Sequence, residues 1–259
     1  MTFRLSTGAR NLLAEGRGLG AIFNRGSLEI YSGTQPTTGD SAKTGTLLGL
    51  VTSSSGALTK ETRAVGTIVI TAAAGGAINA VTVGTFNIIP DGAVSAVAGD
   101  TAGTAVALAA AINRNGIFEA SVSGSTITIT AKPGVGTSWN GLALTASLTT
   151  VTATYGGGTV AGGVVPVNGL IFGSPVAGVI AKLSTQVWSF NGIAVGTAGW
   201  ARFVASEADA GAIVSGAPYY PRMDLSVAVS GADLNLSSIS IAVAAPNTID
   251  TFAITVPAA

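Results

Sequence analysis

Glu207 and Asp209 stand two apart in Ser206-Glu-Ala-Asp-Ala-Gly211, the kind of carboxylate pair that can run glycoside hydrolysis. The same spacing fits a solvated hairpin turn, which is the expectation here. Asp91 and Asp100 flank a possible strand, but a calcium site needs further oxygen ligands at short spacing and the sequence offers none. A turn at Pro90-Asp91-Gly92 and a helix N-cap at Asp100 account for both. Gly16-Arg-Gly18-Leu-Gly20 has the glycines of a phosphate loop, yet it follows a helical stretch rather than a strand and lacks the Lys-Ser/Thr pair. It reads as a connector. With no histidine and no cysteine anywhere in the chain, imidazole triads, thiol nucleophiles, disulfides and thiolate zinc sites are excluded. No catalytic residue, cofactor site or metal site is expected, and the chain reads as non-enzymatic.

Four arginines are the remaining candidates. Arg4, Arg10, Arg17 and Arg25 are spread through the N-terminal stretch with only Glu15 opposing them. Such spacing suits a basic arm lying on an acidic protein surface through charge-assisted contacts.

The elements that must position these residues are mostly strands. Ser27–Ser32 alternates polar and apolar residues and stops at Gly33, and 46–51, 67–71, 80–83 and 86–89 follow. Ser125–Thr130 has period two and is joined through Ser123-Gly124 to 119–122 as a hairpin. Later candidates are 142–148, 150–155, 186–190, 200–205, 225–229, 239–243 and 250–256. Trp188 and Trp200 are expected to fill the core. Two helices are predicted: Ser6–Glu15, and Thr101–Asn115 with Asp100 as N-cap. In the second, Ala105, Leu108, Ala109 and Ile112 form a stripe that would pack on a sheet.

Composition sets the frame. The chain has 259 residues, only 9 % of them charged against 47 % hydrophobic, and its formal net charge is zero. A binder of nucleic acid would need a basic face. Glycine, threonine and serine interrupt the uncharged runs, so no spanning helix is expected, no apolar leader is visible at the N-terminus, and the chain reads as soluble. So weakly charged a surface favours association. Charge falls to five residues between 64 and 163. The expected organisation is an N-terminal arm with a short helix (1–26), a discontinuous β-sandwich or jelly-roll host (27–63 and 164–259) and an inserted α+β domain with one helix (64–163).

Ser27-Leu-Glu-Ile-Tyr-Ser-Gly-Thr-Gln-Pro36 with Gly45-Thr-Leu-Leu48, Val187-Trp-Ser189, Gly196-Thr-Ala-Gly-Trp-Ala-Arg-Phe203, Ala232-Asp-Leu-Asn-Leu236 and Phe252-Ala-Ile-Thr255 together resemble a family of small structural proteins of tailed bacteriophages. The centre is similar to a module of tail sheath and other phage proteins, through Gly99-Asp-Thr-Ala, Ala-Ile-Asn113 and Ala120-Ser-Val-Ser-Gly-Ser-Thr-Ile-Thr-Ile-Thr-Ala131. The resemblance implies a decoration or cement protein on the outer capsid surface of the virion, made in the host cytoplasm. Its partners would be the major capsid protein, contacted by Arg4, Arg10, Arg17 and Arg25, and copies of itself as a trimer, with no nucleic acid and no membrane. A tail component (tube, baseplate or fibre adaptor) is the alternative.

Overall fold

The computed structural model describes residues 3–134, 137–215 and 220–255. The chain is mainly β, with almost all pairing antiparallel, and divides into two compact units: 1–60 with 166–259, and 61–165.

The first unit opens with β1 (Arg4–Leu5), α1 (Thr7–Ala14), α2 (Leu19–Phe23), β2 (Ser27–Ser32) and β3 (Leu47–Ser53). Ser6 caps α1 by accepting the Ala9 N–H (3.2 Å). Gly16, at φ 85°, ends it, with the Arg17 N–H returning to the Leu12 carbonyl (3.0 Å). The glycine-rich stretch is thus a helix-to-helix connector. The N-terminal segment is not an arm, because Ala9, Leu19, Ile22 and Phe23 are buried in the unit's own core. An amphipathic stretch so short gains more from that burial than from staying solvated.

In the second unit, β4 (Val65–Val83), β5 (Phe86–Asn87), β6 (Val94–Ser95), α3 (Thr101–Ile112), β7 (Phe118–Ser123), β8 (Thr126–Ala131) and β9 (Leu144–Ala161) make one sheet with a helix on one face. β4 is central, bounded by β9 on one side and by β8, β6 and β5 on the other, with β7 beyond β8. The Asp100 carboxylate caps α3 by accepting the Gly103 N–H (2.7 Å), and the apolar stripe from Ala105 to Ile112 is buried against the strands. The opposite face is rich in threonine, with Thr71 bonded to Thr152 and Thr82 to Thr145, both at 2.8 Å.

The first unit resumes with β10 (Val179–Ala181), β11 (Trp188–Asn191), β12 (Gly196–Val204), β13 (Arg222–Ala228), β14 (Leu234–Asn235), β15 (Ser240–Ile241), β16 (Pro246–Ile249) and β17 (Ala253–Thr255). Val256, the last residue of the strand expected over 250–256, lies outside the described residues. The main sheet runs β1-β13-β12-β2-β3-β11-β16, with β14 and β15 paired to its flank, while β10 and β17 form a separate pair. Leu28, Ile30, Phe203, Met223 and Leu225 face a core closed by α1, α2, Phe172, Ile180, Phe252 and Ile254. Trp188 sits in this core, its ring 5.4 Å from that of Phe172.

Trp200 is equally buried but points to the other side of the sheet. A register shift between Ala198 and Trp200 turns the alternation there. Gly199 is required at that point, since a Cβ would lie 2.0 Å from the Gly33 carbonyl oxygen.

Candidate functional site

The second face of the main sheet collects the charges that the sequence scatters. In register across β1, β13, β12 and β2 stand Arg4, Asp224, Arg202 and Glu29, a row of alternating sign. The antiparallel pairing makes each a cross-strand neighbour of the next. Arg202 and Asp224 have no exposed side-chain surface and meet in a two-point contact, Nε to Oδ1 at 2.6 Å and Nη2 to Oδ2 at 2.8 Å. Two residues along β13, on the same face, Arg222 makes the same contact with Asp209 (2.6 and 2.7 Å). Glu29 is taken by Lys43 Nζ (2.8 Å) and by the Tyr31 hydroxyl (3.0 Å). Tyr31 stacks on Trp200 with 4.7 Å between ring centroids, and the Arg202 guanidinium lies over the same indole.

Two loops seal this layer. Arg202 Nη1 donates to the Ser41 carbonyl (2.9 Å), and Arg222 Nη1 donates to that of Ala212 (2.9 Å). The loops are stitched to each other by Lys43 N–H to Gly211 carbonyl (3.0 Å) and Val214 N–H to Asp40 carbonyl (2.9 Å).

Burial acts to raise the Asp209 carboxyl, but hydrogen bonds from Arg222 and from the Gly211 N–H outweigh it and hold the group below its ordinary value. For Asp224 burial dominates and pushes the carboxyl up, opposed by Arg202. Burial, and then the Glu29 carboxylate, drive the Tyr31 hydroxyl far above its usual range. Lys60, whose Nζ donates to Ser27 Oγ (3.1 Å), is lowered by burial.

This layer corrects the reading of Glu207 and Asp209 as a solvated turn. The Asp209 side chain is only 5 % exposed, and Arg222 occupies both of its oxygens. A carboxylate held in that way supplies a lock between loop and sheet rather than one half of an open acid–base pair. Asp91 is ion-paired with Arg114 and Asp100 caps a helix, so the two do not converge on a cation site. Among the described residues no group of three or more acidic side chains could hold a metal ion. Nor is any helix among them long and apolar enough to cross a membrane.

The four arginines separate. Arg4 belongs to the charged row and donates to the carbonyls of Pro36 and Gln35. Arg10 is exposed on α1, bonded to Thr7 Oγ1 (2.9 Å) and 3.9 Å from Asp40. Arg17 is half-buried in the connector. Arg25 is exposed, with a left-handed backbone at φ 60°, and its N–H is anchored on the Leu170 carbonyl (2.7 Å). Arg10 and Arg25 therefore present guanidinium groups to solvent, while Arg4 and Arg17 are partly withdrawn.

Two other surface features stand out. Ile193, Val195 and Val243 are exposed on the segments 192–195 and 242–245, which are joined by Gly192 N–H to Ala245 carbonyl (3.0 Å) and Ala244 N–H to Gly192 carbonyl (2.8 Å). They make an apolar tip at one end of the main sheet. A shallow cleft of about 550 Å³ is lined by Lys182, Ser184, Asp233, Asn235, Asp250 and Phe252. Asp233 is spent on the Ser226 N–H and hydroxyl (3.0 and 2.8 Å).

The buried ion pairs were not foreseen from the sequence. A usable signal existed: in a chain with 24 charges, Glu29, Arg202, Arg222 and Asp224 all fall inside strands of otherwise apolar character. No protein-family model matches the chain, and no curated protein matches it in sequence.

Proposed function

We propose that this chain is a non-enzymatic structural protein of a bacteriophage particle that binds and braces the capsid shell. The observation that carries the reading is where the phage-like segments fall. Ser27–Pro36 and Gly45–Leu48 supply β2 and the start of β3, Val187–Ser189 the start of β11, and Gly196–Phe203 most of β12. These are consecutive neighbours in one sheet, in the order β12-β2-β3-β11. Ala232–Leu236 and Phe252–Thr255 contribute β14 and β17, with Leu234, Leu236, Phe252 and Ile254 in the same core. Segments distant in sequence therefore build a single scaffold, which we read as a sandwich or jelly-roll-like host carrying 61–165 as an inserted domain.

The locked loops suit a bracing role, because a rigid surface loses little conformational freedom on docking. Arg10 and Arg25 supply charge-assisted contacts to the major capsid protein, and the apolar tip at Ile193, Val195 and Val243 supplies contacts between copies in a trimer. Many copies, each contributing weakly, brace a shell through avidity.

The test is co-sedimentation of the purified chain with expanded, undecorated heads, counting copies bound at saturation. Saturable binding on the order of hundreds of copies per head is expected, since every capsomer seam offers a site. Binding of a few copies, or none, refutes the shell role and moves the protein to the tail.

A further inference from the structure

A serine–lysine contact in the first unit takes no part in the shell-binding role, and the backbone beside it is unusual. Ser27 opens β2 and is fully buried, yet its hydroxyl meets an amine. Lys60 Nζ donates to Ser27 Oγ (3.1 Å) and to the Ala205 carbonyl (3.4 Å). Burial lowers the Lys60 amine, opposed by Glu29 and Asp209 and aided by Lys43. More of the amine is therefore free base, and a neutral Nζ accepts the serine proton across the same contact.

The peptide on the N-terminal side of Ser27 is held by its oxygen. The Gly26 carbonyl accepts the Leu170 N–H (2.8 Å), and the Arg25 N–H donates to the Leu170 carbonyl (2.7 Å), so both residues are clamped to Leu170. Glycine is required at 26, since a Cβ would lie 2.2 Å from the Val204 carbonyl oxygen. Within this clamp Arg25 sits in the left-handed region at φ 60°, a strained conformation for a residue with a side chain. A strained neighbour, a carbonyl whose oxygen already has a backbone donor, and a hydroxyl beside a desolvated amine are the parts of an intramolecular acyl transfer.

We propose that the chain cleaves its own backbone between Gly26 and Ser27, with Ser27 as nucleophile and Lys60 as general base. Ser27 Oγ bonds to the Gly26 carbonyl carbon as its proton passes to Lys60 Nζ, and the Leu170 N–H holds the oxyanion. The C–N bond between Gly26 and Ser27 then breaks, and Nζ returns the proton to the departing Ser27 nitrogen, leaving an ester. Water hydrolyses that ester, releasing the Gly26 carboxylate and restoring the Ser27 hydroxyl. Each chain reacts once, so there is no turnover. The segment ahead of the cut stays docked, because Ala9, Leu19, Ile22 and Phe23 belong to the core. The cut therefore shows only after denaturation. Self-cleavage goes beyond the shell-binding role and stands apart from it, since head binding and cleavage are measured separately and either can fail alone.

Mass spectrometry of the purified full chain, denatured after incubation near neutral pH, should show complementary fragments ending at Gly26 and beginning at Ser27. Hydroxylamine should intercept the ester and leave a hydroxamate on Gly26, assigned by fragment mass because the four Asn-Gly steps of the chain also react with it. Ser27→Ala should abolish both products, and Lys60→Met should slow them by roughly a hundredfold. A wild-type bond that stays intact in hydroxylamine overturns the proposal. So does cleavage that persists in folded Ser27→Ala or keeps its rate in folded Lys60→Met. If either variant fails to fold, the wild-type hydroxamate decides: its presence on Gly26 supports the proposal and its absence overturns it.

Discussion

Replacing Asp224 by alanine strands Arg202, whose side chain has no exposed surface, without its two-point partner. Each lost charge-assisted bond is worth roughly 1.5–3 kcal/mol, so the pair amounts to about 3–6 kcal/mol. Glu29, Arg202's neighbour in register on the other strand, remains to offset part of the stranded charge. The expected net loss is about 4 kcal/mol, within the range for breaking a buried pair and a large share of a domain's total stability. Replacing both members by apolar residues, Arg202→Met with Asp224→Leu, should come back to within about 1 kcal/mol of the parent, because no charge is then left buried. Urea unfolding followed by tryptophan fluorescence reads this directly in a Trp139→Phe background, which leaves Trp188 and Trp200, both in the first unit, as the reporters. With a urea slope near 2 kcal/mol per M, Asp224→Ala should lower the midpoint by about 2 M. A shift below about 0.5 M would mean that the pair behaves like a surface ion pair, and the account of the charged layer would be wrong.

Four further outcomes are expected. Gly49→Ala places a Cβ 2.1 Å from the Phe190 ring and should cost about 2 kcal/mol or more by calorimetry of the first unit, with no cost if the ring is free to move aside. Asp100→Ala removes the cap of α3 and should destabilise the second unit by about 1 kcal/mol, visible as earlier loss of helical circular dichroism. In an alkaline titration at 295 nm, Tyr31 should ionise well above the usual tyrosine range, a late step that Tyr31→Phe removes. Its raised value means that the buried, protonated phenol is favoured only in the folded state, so its contribution to stability is full below about pH 10 and declines above it. Arg25→Gly should raise stability by about 1 kcal/mol by relieving a left-handed backbone, yet weaken head binding; equal binding would remove Arg25 from the contact surface.

Much of the secondary structure could be read locally. Ser27–Ser32 is β2 to the residue, Ser6 and Asp100 are the caps that their types suggest, and Ser123-Gly124 does turn β7 into β8. The expected helix over 101–115 ends at Ile112, because the amides of Asn113 and Asn115 are engaged with the β7 strand and its approach. Two pairs of expected strands, 67–71 with 80–83 and 142–148 with 150–155, are each one long strand. Glycine at 75 and 76 reads as a break, but β4 and β9 pair through that point with register shifts that absorb the extra residues. The charged row was hidden for a related reason. Arg4, Glu29, Arg202 and Asp224 become neighbours only through pairing across four strands, and pairing order leaves no local trace.

The layout of the first unit also bears on how the chain is made. β2 and β3 emerge early, but their sheet neighbours β12 and β11 are translated only after the whole 61–165 unit. Until then the β2–β3 hairpin has no partner on either edge, and Leu28, Ile30, Leu48 and Val51 have only α1 and α2 to cover them. The second unit, whose strands all lie within one continuous stretch, should acquire its structure on the ribosome while the first waits. Final assembly must close very long loops, which makes it the slow step and the one most exposed to aggregation at high expression. Slowing translation after residue 165 should then raise the soluble yield.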